Sequence, residues 1–183
     1  MHVLDALLYL LDSDVRAVSA MASGQTPERP LESFAQVLLE FKSGAHGHLV
    51  YGGRFPLSKN DIWIYGAQGR VGPENVVDVQ TQGTLDVTLP EGPTGWRSER
   101  HQPRLLDHYQ AQIEEFARCM QDGRPFESSG AAGLRSVAVT RAIIEAQRSG
   151  GLRYSLEAHH ETRGWAVGYA SGRHTGKERT GIV

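Results

Sequence analysis

Cysteine is nearly missing from this 183-residue chain, which holds only Cys119. One thiol cannot close an intramolecular disulfide, and such sparse use fits a reducing, cytoplasmic compartment. No apolar run approaches the roughly 20 residues that a membrane-spanning helix needs. The apolar stretch from Val3 to Leu11 is interrupted by Asp5 and ends at Asp12. It has no basic segment before it and no clear small-residue cleavage site after it, so it reads as an amphipathic helix on a core, not as a signal peptide. Charge of one sign is missing too: 19 basic residues stand against 21 acidic ones, for a formal net charge of −2. The basic residues are scattered, which speaks against nucleic acid and membrane surfaces as partners. Finally, no Gly-x-Gly-x-x-Gly occurs. The nearest approach, Gly66-x-x-Gly69-x-x-Gly72, has the wrong spacing and sits between expected strands. Without helix-terminal amides behind such a loop, nothing cradles a pyrophosphate, so no cofactor-binding residue is expected.

What is present describes an ordinary globular domain, with 39% apolar and 22% charged residues and enough length for one core. After the first helix, Val15 to Ala20 alternates as a strand and Ser23 to Pro30 reads as a loop. Phe34 to Phe41 and Ala45 to Tyr51 form a hairpin in which Gly44 supplies the positive φ. Asp61 to Tyr65, a turn at Gly66 to Gly69 and a return from Arg70 make a second hairpin. Val76 to Val79 and Thr84 to Leu89 suggest a further pair, and Pro90 to Pro103, around Trp96, reads as a loop. Short turns between strands imply antiparallel pairing.

The period then changes. Leu106, Tyr109, Ile113, Phe116 and Met120 line one helix face, expected to be core, and Asp122-Gly123-Arg124-Pro125 ends that helix. Ser128 or Ser129 caps a second helix whose small-residue face (Ala131, Leu134, Ala138, Ala142, Ile143, Ala146) suits close packing on a sheet. Leu152 to Leu156 reads as a last strand, and residues 157–183 as a poorly ordered tail. The expected fold is α+β: an open, predominantly antiparallel β-sheet with helices packed on one face. The other face, with Trp63 and Tyr65, needs a cover, and self-association is the common solution.

Few residues stand out chemically. His46 and His48 share one side of a strand, but no Asp, Glu or Cys lies nearby at ligand spacing, so no metal site is expected. His159-His160-Glu161 is a chance cluster in the tail, and His101 and His108 read as solvated. Cys119 fits packing beside Phe116 and Met120 better than nucleophilic chemistry.

Four segments, in order and spacing over residues 1–156, carry a likeness. They are His2-Val3-Leu4-Asp5, a His-x-x-Asp step on a helix; Phe41 to Gly47, with its Gly-Ala-x-Gly hairpin; Ile64 to Gly69, with a Gly-x-x-Gly turn between strands; and Tyr109 to Phe116 followed by Gly133 to Gly150, paired helices. Together they resemble the C-terminal domain of the Gfo/Idh/MocA oxidoreductases, the glucose–fructose oxidoreductase and inositol dehydrogenase type. The resemblance implies a domain that shapes a small-molecule substrate site and oligomerises through its open sheet. NAD or NADP would sit in a separate nucleotide-binding domain, and hydride would pass between the nicotinamide and a sugar or cyclitol CH–OH carbon. It also implies that His2 matches the catalytic histidine, a residue type that exchanges protons near neutral pH. Asp5, one helical turn on, is read either as orienting that ring or as facing the following loop. The family's aspartate four residues before the histidine would fall before Met1, and the helix opens without a capping residue. The expectation is thus a truncated chain, inactive alone. The alternative is a stand-alone dimerisation or small-molecule binding module without catalysis.

Overall fold

The protein is described by a computed structural model covering residues 2–53, 61–74, 83–104 and 106–156. The expected strand at Val76 to Val79, and the tail with His159-His160-Glu161, lie outside the described residues. The elements are α1 (His2–Leu11), β1 (Val15–Ser23), β2 (Phe34–Phe41), β3 (His46–Gly52), β4 (Ile64–Gly66), β5 (Gly69–Glu74), β6 (Thr84–Glu91), β7 (Gly95–His101), α2 (His108–Asp122), α3 (Gly130–Arg148) and β8 (Tyr154–Ser155). The fold is α+β with antiparallel pairing throughout the described strands. Those strands divide into two four-stranded sheets, ordered β3-β2-β1-β8 and β4-β5-β6-β7, where one sheet was expected.

The core lies on one face of the first sheet. Val18 pairs with Leu39, Ala20 with Val37, and Leu49 continues the row on β3. Successive strand residues point to opposite faces, so these side chains gather on one side. There they meet Leu4, Leu7 and Leu8 of α1 and Val139, Ala142 and Ala146 of α3. The three-and-four spacing of the leucines explains why α1 is helical and which way it faces. Ala142 and Ala146, buried in the same core as Ala20, let α3 lie close across β1, as its small-residue pattern suggested. The part of that pattern nearer the helix start is not buried: Leu134 is exposed, and Ser136 and Val139 take the inner positions.

Turn chemistry sets the boundaries. Asp12 ends α1 at φ 41°, the left-handed region that Asp tolerates better than most residues. Gly44 closes the β2–β3 hairpin at φ 88°, while the Phe41 N–H donates to the Ala45 carbonyl at 2.9 Å. Of the two candidate caps for α3, Ser129 serves, its Oγ accepting from the Ala132 N–H at 3.3 Å.

Three expectations are corrected. First, Pro90 to Pro103 is not all loop: Gly95–His101 is a strand, turned back on β6 in register from Glu91↔Gly95 to Leu85↔His101. Its residues are polar, so no hydrophobic alternation marked it, and flanking Gly and Pro dominated the reading. Second, the strand expected from Asp61 starts only at Ile64, although Ile62 is buried. Third, the apolar stripe of α2 is not in the core. Asp107 caps the helix, its Oδ1 accepting from the Tyr109 and Gln110 N–H groups, each at 3.0 Å, and Gly123 ends it at φ 64°. Yet Tyr109, Ile113 and Met120 are 67%, 69% and 70% exposed, and Leu106 is exposed as well. Among the described residues only Cys119 of this helix is buried.

Candidate functional site

The site begins at the first turn of α1, which the leucine packing fixes against the sheet. His2 stands exposed at the helix start. Asp5, one turn further, accepts a 2.6 Å hydrogen bond from the buried Ser136 hydroxyl of α3. Asp5 is thereby engaged in tying α1 to α3, a third option beside the two read from the sequence. Just beyond α1, Asp14 pairs with Arg135 Nε of α3 at 2.9 Å and with Lys42 Nζ at 3.5 Å. Ser13 Oγ accepts from the Ser43 N–H at 3.1 Å. These contacts hold the helix that carries His2 against both the sheet and α3. Sequence reading missed Ser136 and Arg135, because their partners lie far away in the chain. Removing the hydroxyl by Ser136→Ala is expected to cost about 1.5 kcal/mol, the range for a hydrogen bond to a charged group, read as a lower urea midpoint at unchanged m-value.

A cleft of about 950 Å³ runs beside α1, between Val3, Leu7 and Leu11, strand β3 and the segment from Asp61 to Tyr65. That volume lies in the usual range for small-molecule sites, roughly 300–1,000 Å³. Its far wall is aromatic. The Trp63 ring lies flat on Gly72, where a Cβ would collide with it. Tyr65 stacks on Trp63 with ring centroids 6.4 Å apart, and the Arg70 guanidinium lies 5.4 Å from the indole centroid. The wall is therefore an apolar shelf with a fixed cation at its edge. Trp63 and Tyr65, expected on the open sheet face, belong instead to this cleft and the second sheet.

The open face of the first sheet carries the opposite register set. Glu40 pairs with His46, Leu38 with His48 and Gln36 with Val50. Met21, Leu38 and Val50 are exposed on it. His46 and His48 share this face, and among the described residues no group of three or more His, Cys, Asp or Glu side chains is placed to hold a metal ion. Glu40 is held by Arg153 through two 2.7 Å hydrogen bonds and by Arg16 at 3.2 Å. Chiefly through Arg153, and against partial desolvation, its carboxyl falls from 4.5 to about 2. A depressed carboxyl stabilises the fold above its ordinary value and loses that contribution as pH falls toward the folded one. Glu40→Gln should therefore flatten the loss of stability between pH 4.5 and about 2, measured by urea unfolding across that range. Surface screening keeps the effect small.

Cys119 is buried beside the end of α2, its Sγ 3.6 Å from both Glu115 Oε1 and the Pro125 carbonyl. Burial pushes its thiol up, against a nucleophilic role. Tyr109, expected in the core, is exposed. No helix among the described residues is long and apolar enough to cross a membrane.

Comparisons with known proteins meet this geometry at two levels. Residues 1–72, which include α1, the first hairpin, β4 and most of β5, match the GFO/IDH/MocA C-terminal domain. No curated protein matches the chain by sequence. Among solved structures, the chain is similar to an aldose–aldose oxidoreductase from Caulobacter crescentus, crystallised with glycerol (TM-score 0.71, 23% identity, 84% of this chain and 45% of that one). It is also similar to a putative NADPH-dependent oxidoreductase from Desulfitobacterium hafniense (TM-score 0.73, 22% identity, 85% and 46%). A third is a UDP-N-acetylglucosamine 3-dehydrogenase from Acidithiobacillus ferrooxidans (TM-score 0.65, 20% identity, 80% and 45%). At such identities the likeness is one of fold, and the chain spans less than half the length of these proteins. Residues 1–72 are thus similar to the GFO/IDH/MocA C-terminal domain, as the motifs suggested, and the chain shares its fold with those oxidoreductases.

Proposed function

We propose that this chain is the substrate-binding and oligomerisation domain of an NAD(P)-dependent oxidoreductase acting on a CH–OH group of a sugar, cyclitol or related molecule. The nicotinamide nucleotide is held by a separate domain. In this reading the cleft beside α1 takes the substrate, the Trp63–Tyr65 shelf faces its apolar C–H surface, and His2 exchanges the hydroxyl proton as hydride leaves the carbon for the nicotinamide. Open-face residues Met21, Leu38 and Val50 serve self-association.

The observation that carries the two-domain reading is the uncovered stripe of α2. A capped amphipathic helix with Tyr109, Ile113 and Met120 each about two-thirds exposed has an apolar face and no counterpart among the described elements. Large exposed apolar patches mark interfaces, and the solved relatives carry more than half their length outside the part this chain matches. The nucleotide-binding domain is the proposed cover. The test is Ile113→Asp with Phe116→Asp. With a nucleotide-binding domain co-expressed, the native chain should co-elute with it and the double variant should not, while circular dichroism of the isolated chain stays unchanged. The open sheet face favours the stand-alone dimerisation module as a second reading. That module is the better account if Leu38→Asp with Val50→Asp abolishes self-association and the nucleotide-binding domain fails to bind the native chain.

A further inference from the structure

The second sheet ends on a strand that is built to meet another chain. Among the described residues β7 has a neighbour on one side only, β6, and all seven of its residues are exposed. Proteins usually blunt such an edge with short length, charged side chains, proline or a bulge. Two of the other edges are short, β4 with three residues and β8 with two, and the third, β3, forms a wall of the cleft. In the second sheet, unlike β4, β7 runs seven residues without proline and in unbroken register with β6. It offers a seven-residue row of backbone donors and acceptors in which charge alone guards the edge.

Its side chains make that row self-complementary. In Gly95-Trp96-Arg97-Ser98-Glu99-Arg100-His101 the residues flanking Ser98 are opposite in charge, Arg97 on one side and Glu99 on the other. In an antiparallel pair of two copies centred on Ser98, Arg97 of each lies opposite Glu99 of the other, and Trp96 lies opposite Arg100. Both relationships occur twice, as a two-fold axis demands. On one face Arg97 and Glu99 are already 3.3 Å apart within a chain, so two copies would form an alternating ring of four charges. On the other face Arg100 is held by Asp86 through two 2.6 Å bonds, which leaves its planar cation poised to lie over an exposed Trp96 ring. Shifting the register by one residue brings Arg97 against Arg100 in one direction and loses the Arg97–Glu99 pairing in the other. Charges that normally repel edge pairing here select one register and one partner.

We propose that β7 is a homotypic docking edge: two copies of this chain join β7 to β7 antiparallel across Ser98, continuing the second sheet from one molecule into the next. This contact uses neither the open face of the first sheet nor the α2 stripe, and it stands whether or not the oxidoreductase reading holds.

The experiment is disulfide trapping in the full chain. Residues directly opposite in antiparallel strands have Cα atoms roughly 4.5–5.5 Å apart, within disulfide reach. Ser98→Cys should therefore oxidise to a covalent dimer, while Ser43→Cys, in the exposed β2–β3 turn, stays mostly monomeric. Adding Arg97→Glu or Glu99→Arg to Ser98→Cys places like charges opposite each other twice, and should cut the dimer yield about tenfold at limiting concentration. Mixing those two single-reversal chains restores opposite charges and should restore the cross-link between them. A Ser98→Cys yield no higher than that of Ser43→Cys, or a yield indifferent to the reversals, overturns the proposal.

Discussion

Replacing His2 with glutamine is expected to lower turnover by about 10²–10⁴-fold, the usual worth of a positioned general acid–base group, when the chain works with its nucleotide-binding domain. His2 is exposed at the N-terminal end of α1, so its loss removes no packing. The helix that carries it is pinned by buried leucines, by Ser136 on Asp5 and by Arg135 on Asp14. A proton-transfer group must be held within a few tenths of an ångström of its target, and α1 is a rigid mount for it. Glutamine keeps the length and the hydrogen bonding of the side chain but has no proton to exchange near neutral pH. The expected signature is therefore a fall in kcat with little change in KM, followed by NAD(P)H absorbance, and an unchanged melting temperature. An equal loss of kcat and melting temperature would mean that His2 has a structural role instead.

The second large effect is on stability. Phe41→Ala is expected to lower the unfolding free energy by about 3–5 kcal/mol, the range for truncating a buried aromatic ring. Phe41 is 1% exposed and among the largest fully buried side chains. Its ring lies beside Gly47, whose missing Cβ leaves the space, and its backbone closes the β2–β3 turn on both sides through Ala45 and Gly44. The loss therefore opens a cavity where the hairpin, α1 and α3 meet. Phe41→Leu should recover part of it. A chemical denaturation series measures both, and a loss below about 1 kcal/mol would show that the ring is not a core element.

How much of this was legible in the sequence depended on whether a residue acts through local pattern or through distant partners. The leucines of α1, the alternation of β1 and β2 and the glycine of the first turn are local signals, and they led to the right elements. The His-x-x-Asp step and the hairpin motifs carried the resemblance that the match over residues 1–72 bears out. What escaped was non-local or polar. The 2.6 Å contact of Ser136 with Asp5 joins residues 131 positions apart, and no spacing rule predicts it. β7 escaped because a strand of Arg, Ser, Glu and His buries nothing, so the hydrophobic period had nothing to report. The stripe of α2 was recognised, but amphipathicity states only that a face wants cover. It does not say that the cover lies in the same fold, and the structure leaves that face open.

The central claim is that this chain supplies the substrate side of a redox site and leaves the nucleotide to another domain. Amide NMR spectra of the isolated 183-residue chain, titrated in turn with an aldose and with NADH, test it most directly. The expected result is that the aldose shifts amides lining the cleft, from His46 to Tyr51 on β3 and around Trp63 and Tyr65, while NADH produces no saturable shift. Saturable NADH binding, or an aldose response that bypasses the cleft, would contradict it.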